Sequence, residues 1–383
     1  MFILALLVNS CVSEFNAKLP ANDVQILIVD GSIIENTDVM FYLSKSFPLD
    51  SLNIPEENLN INANLSIIGS DGYKSQPAIN LGRGSYSISV GELDDNVEYG
   101  IQIEYNGDIY QSTLSKPLRT PEIDSISWIQ PEEAGAVSFR VSTHDNAGEA
   151  RFFLWSYIEN WETTAYFYTT FFFNPDNNEF YVIDPAPYYY CWRSATSDKF
   201  LIGSTEALSE NSIVNKQLYS CLPDDSRFSV LYSVNVNQRA ISKDAFEYYQ
   251  NKIVLNDEMG GLFTPQPSEL NGNITCITDP SKKAMGYVEA VKNTTQKRIF
   301  VSSLELTRPR IFSNCTLLND SDLINLLGDS ENLYHDAYQA GFRVAEVPDI
   351  DNVPMGWALS NCTDCIANGG TKNKPDFWPN NHQ

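Results

Sequence analysis

Histidine is scarce in this chain, with only three among 383 residues, at positions 144, 335 and 382. A Ser-His-Asp or Cys-His site would have to use His144 or His335, because His382 is next to the terminus. Neither lies in a supporting motif, and His144 belongs to a turn-like Thr-His-Asp-Asn sequence. A phosphate loop, a His-Glu metal helix and a nucleophile elbow are also missing from the sequence. The sequence therefore predicts a protein that is not an enzyme and has no cofactor.

Basic residues are also few, because 25 Lys and Arg stand against 49 Asp and Glu, for a net charge of -24. A phosphate backbone would be repelled, so nucleic acid is not an expected partner. The acidic residues are spread along the chain, which favours a solvated surface over a cation-binding run.

Long apolar runs are missing as well, apart from a short one at the start of the chain. Residues 1–10 are too short to span a membrane, which takes about 20 residues, and they resemble a lipoprotein signal peptide. The sequence Val8-Asn9-Ser10-Cys11 resembles a bacterial lipobox, so we expect cleavage before Cys11 and lipid attachment to its thiol. Residues 11–23 would then form a polar tether. The alternative is a buried cysteine in an N-terminal strand.

Lipidation of Cys11 would leave an even number of cysteines in an oxidising compartment, where disulfides are the default expectation. Proximity in the sequence favours three pairs, which are Cys191 with Cys221, Cys276 with Cys315, and Cys362 with Cys365. The last two form a CxxC motif, whose spacing also occurs in metal sites and redox centres. Because the motif stands alone, all three interpretations stay open.

Short β-branched and aromatic segments dominate the rest of the chain and predict a mainly β fold. Buried faces are indicated by the alternation at Tyr86, Ile88 and Val90, and Asn106-Gly107 predicts a hairpin turn. We expect an immunoglobulin- or transthyretin-like sandwich over residues 24–120, ending in a proline-containing linker. Residues 121–383 would form a larger antiparallel β domain with a few short helices and a cysteine-containing tail.

Two helices are predicted within the larger domain. Ser242 is a suitable N-cap for the helical sequence that follows it, and Ser321 would open a second helix that stops at Gly328.

Runs of three aromatic residues occur at 166–168, 171–173 and 188–190. Consecutive residues of a strand point to opposite faces, so some of these rings must lie outside the core and could stack on a sugar or peptide. A pair of carboxylates acting on a glycan or peptide is an alternative that the sequence cannot locate, because the separation of the two acids is spatial.

Two stretches carry a family resemblance. One runs from 263 to 276, and the other is the tail, with Cys362, Asp364, Cys365, Gly369, Gly370, Lys374, Pro375, Phe377 and Trp378. Together with the N-terminal segment they resemble the bacterial outer-membrane lipoproteins of domain-of-unknown-function family 4249. The resemblance implies lipid attachment at Cys11 and no catalytic residue.

The resemblance also implies an accessory role beside a TonB-dependent transporter in nutrient capture or uptake. The expected protein is a lipid-anchored binding module of the outer membrane, on its periplasmic face or at the cell surface, whose ligand is an oligosaccharide, a peptide or another nutrient. A hydrolase with a carboxylate pair and a structural surface protein are the alternatives.

Overall fold

The structure is a computed structural model that describes residues 26–47, 55–133, 135–223, 226–258, 272–307, 315–345 and 356–379. Most of its regular segments are β-strands, as the aromatic and β-branched composition predicted. The predicted signal peptide, Cys11 and the tether lie outside the described residues.

The strands are numbered in chain order. The first ten are β1 (Leu27–Asp30), β2 (Ile33–Ile34), β3 (Asp38–Lys45), β4 (Asn64–Gly69), β5 (Ile79–Gly82), β6 (Ser85–Ser89), β7 (Tyr99–Tyr105), β8 (Asp108–Ser112), β9 (Ile123–Ile129) and β10 (Val137–His144). The next seven are β11 (Phe152–Thr164), β12 (Phe171–Asn174), β13 (Glu179–Val182), β14 (Tyr190–Thr196), β15 (Leu201–Ser204), β16 (Ser212–Cys221) and β17 (Leu231–Ile241). The remaining six are β18 (Ile274–Cys276), β19 (Ala284–Met285), β20 (Ala290–Val291), β21 (Thr295–Ser302), β22 (Phe342–Ala345) and β23 (Gly356–Leu359).

The helices are short, except for the third. They are α1 (Glu56–Leu59), α2 (Ala186–Tyr189), α3 (Lys243–Glu258), α4 (Asp320–Leu327), α5 (Leu333–Gln339) and α6 (Ser360–Thr363), with 3-10 turns at Ser226–Phe228 and Ser303–Glu305. Within the described ranges, none of them is long and apolar enough to cross a membrane.

The first unit is a β-sandwich. One sheet has the order β19-β1-β3-β6-β5 and the other β18-β8-β7-β4. Their inner faces enclose one apolar core, which includes Tyr86, Ile88 and Val90, so the predicted alternation is confirmed. Asn106 and Gly107 have φ of 51° and 83° and join β7 to β8, as the hairpin signal predicted.

Strands from much later in the chain complete this sandwich. Three of them, β18, β19 and β20, pair with β8, β1 and β2. The boundary that we expected at residue 120 would place residues 274–291 in the second domain. Their strand pairings instead place them in the first unit. Pairings between such distant segments leave no local signal in the sequence.

The segment that we predicted as a linker is fixed by hydrogen bonds. Leu118 donates its N–H to Ala290 at 3.0 Å, and its carbonyl accepts from Lys292 at 2.8 Å. Thr120 and Asn293 form three hydrogen bonds with each other. The two connections between the units therefore run side by side.

The second unit is another sandwich. A sheet of order β16-β10-β9 faces a sheet of order β14-β11-β17-β21, with β15 also paired to β11. Phe139, Trp155 and Tyr232 lie in the core between them, each at most 1% exposed. Gln238 is fully buried there, where it accepts from the Trp155 indole and donates to Thr143, so its polar atoms are satisfied.

The two predicted helices are present. Ser242 caps α3 by accepting from Ala245 N–H at 3.1 Å, as predicted. The helix predicted to open at Ser321 begins two residues earlier, because Asn319 is the N-cap and forms a capping box with Asp322, and it ends at Gly328 as expected.

A third, smaller unit combines the segment between β11 and β14 with the C-terminal part of the chain. Its hairpins are β12-β13 and β22-β23, and α4 and α5 pack beside them. Phe173, Phe342 and Trp357 are buried in its core, and Trp357 stacks on Tyr334 with ring centroids 5.4 Å apart.

Candidate functional site

Two disulfides brace the third unit. They join Cys191 to Cys365 and Cys315 to Cys362, across sequence separations of 174 and 47 residues. The pairing expected from proximity is therefore wrong. Cys362 and Cys365 are close in sequence, but each bonds a different and more distant cysteine, so the CxxC motif has no thiolate left for a metal or redox centre.

The two remaining described cysteines take no part in a disulfide. Cys221 is buried in the core of the second unit and Cys276 in that of the first, so the expectation that they are disulfide-bonded is also wrong. Each lies on a strand of its own sandwich, so they cannot pair with each other. Buried thiols of this kind behave as small apolar side chains.

The disulfides fix the short segment between their C-terminal cysteines. The backbone reinforces them, because Phe167 N–H donates to the Cys362 carbonyl at 2.8 Å and Cys365 N–H donates to the Tyr188 carbonyl at 2.9 Å. Thr363 and Asp364 lie between these anchors. Their backbone is held at both ends by a covalent bond and a hydrogen bond.

Thr363 and Asp364 form one wall of a groove. It encloses about 450 Å³, within the range of small-molecule sites, which is about 300–1,000 Å³. We call it the aromatic groove. Its lining residues are Thr169, Phe171, Phe172, Phe173, Ile183, Tyr188, Tyr338, Arg343, Val344, Ser360, Thr363, Asp364, Ile366 and Ala367.

Five aromatic rings give the aromatic groove its apolar character, and four of them are partly exposed. Phe172 is 37% exposed and packs edge-to-face against Tyr338, with ring centroids 6.4 Å apart. Phe171 and Tyr188 are half-buried. Rings left partly uncovered in a concave site offer flat surfaces to a ligand.

Cations lie against two of these rings, and of the two only Arg343 lines the groove. The Arg343 guanidinium lies over the Tyr338 ring, 3.8 Å from its centroid, and Lys372 Nζ lies 4.4 Å from the centroid of Tyr188. Of the described residues that line the groove, Asp364 alone is acidic. The described lining residues therefore do not assemble the pair of carboxylates that a glycosidase-like hydrolase needs.

The sequence predicted part of this site. Of the three aromatic runs, 171–173 and 188–190 supply rings to the groove, whereas the run 166–168 supplies none. Tyr338 and Arg343 were missed, because they lie on α5 and β22 without any motif. Only the packing of those elements brings them to the groove.

Neither described histidine forms a catalytic site. His144 is exposed at the end of β10, with Nδ1 2.8 Å from Asp124 Oδ1, and Nε2 accepts from the Asn146 amide at 3.1 Å. Both of its nitrogens are thus occupied by surface contacts. His335 lies in α5, half-buried, with Nδ1 3.3 Å from the Pro175 carbonyl oxygen.

The second sandwich holds an internal acid that is already paired. Glu159 is 5% exposed and accepts from Arg227 at 2.7 Å and from Tyr232 at 2.5 Å. Burial, with the nearby Tyr219 and Glu159, raises the pKa of Tyr232 above its usual range, so its hydroxyl stays protonated and donates. This network satisfies a buried charge and has a structural role.

A second cavity of about 450 Å³ lies on the first unit, and Ile26 and Gly272 are in its wall. These two residues adjoin stretches that the structure does not describe, so the aromatic groove is the better-defined site. Over the described ranges, no group of three or more His, Cys, Asp and Glu side chains is placed to hold a metal ion.

The C-terminal tail packs back onto the second sandwich. Trp378 is 4% exposed and donates its indole N–H to Glu162 at 3.1 Å, while Arg298 lies 3.6 Å from the Phe377 ring centroid. These aromatic residues of the tail thus act in folding.

The fold and the site define a class: a β-rich protein of two sandwiches that carries a disulfide-braced aromatic groove. Residues 12–297 match the model of the Domain of unknown function (DUF4249), so the chain belongs to that family. The match includes β12 and Tyr188 on one side of the groove and ends before α5, β22 and α6 on the other. No curated protein matches the sequence significantly.

Proposed function

We propose that this chain is a lipid-anchored accessory protein of the cell envelope that captures a ligand in its aromatic groove, beside a TonB-dependent outer-membrane transporter. The observation that carries the proposal is the groove itself, a concave site with aromatic faces in a unit held by two disulfides.

The disulfides support an exported protein. Structural disulfides persist in oxidising compartments and are rare in the cytosol. An exported chain with an apolar start and a lipobox-like sequence would be retained at a membrane through Cys11. The resemblance to outer-membrane lipoproteins is consistent with that retention.

A tethered binding site gains from its location. Anchoring confines the groove to the membrane surface, where its local concentration near a transporter is far higher than in free solution. A ligand released from the groove would then be rebound, or passed on, before it diffused away.

The anchor is tested with Cys11→Ala in the full chain. We expect the substitution to abolish palmitate labelling and to move the protein from the membrane to the soluble fraction. Cys221→Ala is the matched control, because it removes a buried cysteine far along the chain and should leave labelling intact. Membrane retention of an unlabelled Cys11→Ala protein would refute the anchor.

The capture role is tested by extraction of native membranes in mild detergent. We expect a transporter barrel to co-purify with the wild-type chain, and a small molecule in the same fraction to be identified by mass spectrometry. Phe172→Ala should lose the small molecule and keep the barrel. Tyr166→Ala removes a ring that is 56% exposed outside the groove and should lose neither. Extracts with neither barrel nor bound molecule would overturn the proposal.

A further inference from the structure

We propose that the ligand of the aromatic groove is an acidic oligosaccharide, whose carboxylate pairs with Arg343 while its sugar rings lie on the aromatic faces. This inference rests on the proposed binding function and adds the chemical class of the ligand.

Arg343 is held in place before any ligand arrives. Its Nη1 donates to the Tyr338 carbonyl at 3.0 Å and to the Phe342 carbonyl at 2.7 Å, and its plane lies against the Tyr338 ring. Gly341, with φ of 91°, provides the turn that leads from α5 into β22. A guanidinium fixed in this way loses little freedom when it binds an anion.

One edge of this guanidinium stays available. Arginine has five N–H donors, and the two carbonyls occupy those of Nη1. Among the described residues none accepts from Nε or Nη2 of Arg343, and neither atom is buried without a partner. The Nε and Nη2 edge matches the two oxygens of a carboxylate, which it can bind through parallel hydrogen bonds.

The charge balance at the groove favours an anion. Arg343 and Lys372 place two cations beside the rings, and Asp364 places one carboxylate there, in a chain whose net charge is -24. Among the lining residues Arg343 and Asp364 balance each other, and Lys372, which lies over the Tyr188 ring without lining the groove, adds a cation nearby. The groove therefore lacks the excess of acidic groups that the whole molecule carries.

The remaining lining groups suit a sugar. The Ser360 hydroxyl can donate to or accept from ligand hydroxyls, whereas the hydroxyl of the buried Thr363 already donates to the Ser360 carbonyl at 3.4 Å. Asp364 accepts from Ile366 N–H through Oδ1 at 2.9 Å. Its Oδ2 can accept a hydrogen bond from a ligand hydroxyl. A sugar ring presents an apolar face to aromatic rings and hydroxyls at its edge, whereas an extended peptide depends mainly on backbone pairing.

The inference is tested by calorimetric titration of the purified full chain in detergent. The probes are a galacturonic acid trisaccharide, a neutral galactose trisaccharide and a triglutamate peptide. We expect the acidic sugar to bind most tightly and to weaken as salt is added, because salt screens the ion pair.

Arg343→Met keeps the apolar stem and removes the charge, and we expect it to weaken binding of the acidic sugar by about 10- to 100-fold. Arg343→Lys keeps the charge without the paired donors and should fall between Met and wild type. Arg193→Met is the matched control: Arg193 also lies over an aromatic ring, 5.5 Å from the Trp161 centroid, but it does not line the groove. It should leave affinity unchanged.

The outcomes separate this inference from the proposed function. If the neutral sugar binds as tightly, and Arg343→Met has no effect, the acidic class is refuted while the groove remains a binding site. If triglutamate binds most tightly with the same dependence on Arg343, the ligand is an acidic peptide and the sugar is refuted. If no probe binds, this inference is refuted, and co-purification from native membranes still decides the accessory role.

Discussion

Removing the disulfide between Cys315 and Cys362 should destabilise the third unit and reshape the aromatic groove. The bond closes a stretch with a sequence separation of 47 residues, for which the chain-entropy relation gives about 4 kcal/mol near room temperature. The bond between Cys191 and Cys365 spans 174 residues and gives about 5 kcal/mol by the same relation. Because the shorter loop lies inside the longer one, the two contributions do not add.

The perturbation is the double substitution Cys315→Ala with Cys362→Ala. Alanine is preferred to serine because Cys362 is 4% exposed, and a buried hydroxyl without a partner would add its own cost. We expect a loss of about 2–4 kcal/mol, which is below the entropic limit because an unfolded chain retains some structure.

The assay is urea unfolding followed by hydrogen exchange, with each peptide monitored by mass spectrometry. We expect the loss to be confined to peptides of the third unit, such as those around Trp357, since the sandwiches have separate cores. The double substitution Cys221→Ala with Cys276→Ala is the control, and it should affect the sandwiches instead.

Peptide mapping without reductant provides the refutation. A peptide in which Cys362 is bonded to Cys365, or Cys191 to Cys221, would show that the pairing is wrong. Equal exchange in the wild type and in the Cys315→Ala, Cys362→Ala variant would show that the bond does not brace the groove.

Two further predictions concern the sandwiches. Glu289 is 2% exposed, and burial raises its pKa above the ordinary 4.5 despite the nearby Arg239. Its contribution to the free energy of unfolding is therefore full below pH 4.5 and is lost as the pH rises through the raised pKa. Glu289→Gln should flatten that decline when urea midpoints of the two proteins are compared from acid to neutral pH, and parallel pH curves would contradict the shift. Gly84→Ala should cost about 3 kcal/mol or more in urea unfolding, because φ is 72° and the new Cβ would lie 2.0 Å from the Leu43 carbonyl oxygen. Gly107→Ala, with φ of 83° and open space around it, should cost only about 1 kcal/mol, and equal losses would show that the contact at Gly84 is relieved.

Local patterns predicted local structure well. The alternation at Tyr86, Ile88 and Val90 gave the buried face of a strand because the period of two is a property of the strand itself. Asn106-Gly107 predicted its hairpin for the same reason, since the positive φ values are demanded by the turn.

Features that join distant segments were not predictable in this way. Proximity suggested the wrong disulfides, because a disulfide requires closeness in space, and the fold brings Cys191 and Cys365 within 5.7 Å between Cα atoms across 174 residues. The groove also depends on residues that are close in space and distant in sequence. Its rings came from conspicuous aromatic runs, whereas Arg343 is one of 25 basic residues and is distinguished only by its neighbours.

The assembly of the groove from distant segments links its activity to oxidation. One wall belongs to β12 and α2 and the other to β22 and α6. The Cys191–Cys365 disulfide joins β14, which directly follows α2, to the segment after α6, and the Cys315–Cys362 disulfide joins α6 to the segment before α4. A reduced chain would hold Thr363 and Asp364 through local packing and backbone hydrogen bonds, which contribute about 1 kcal/mol each, without a covalent link. We therefore expect affinity for the acidic trisaccharide to fall when the wild-type protein is treated with reductant, and to recover on reoxidation. The Arg343→Met variant, already weak, should change less. Unaltered wild-type affinity after complete reduction would show that packing alone maintains the groove.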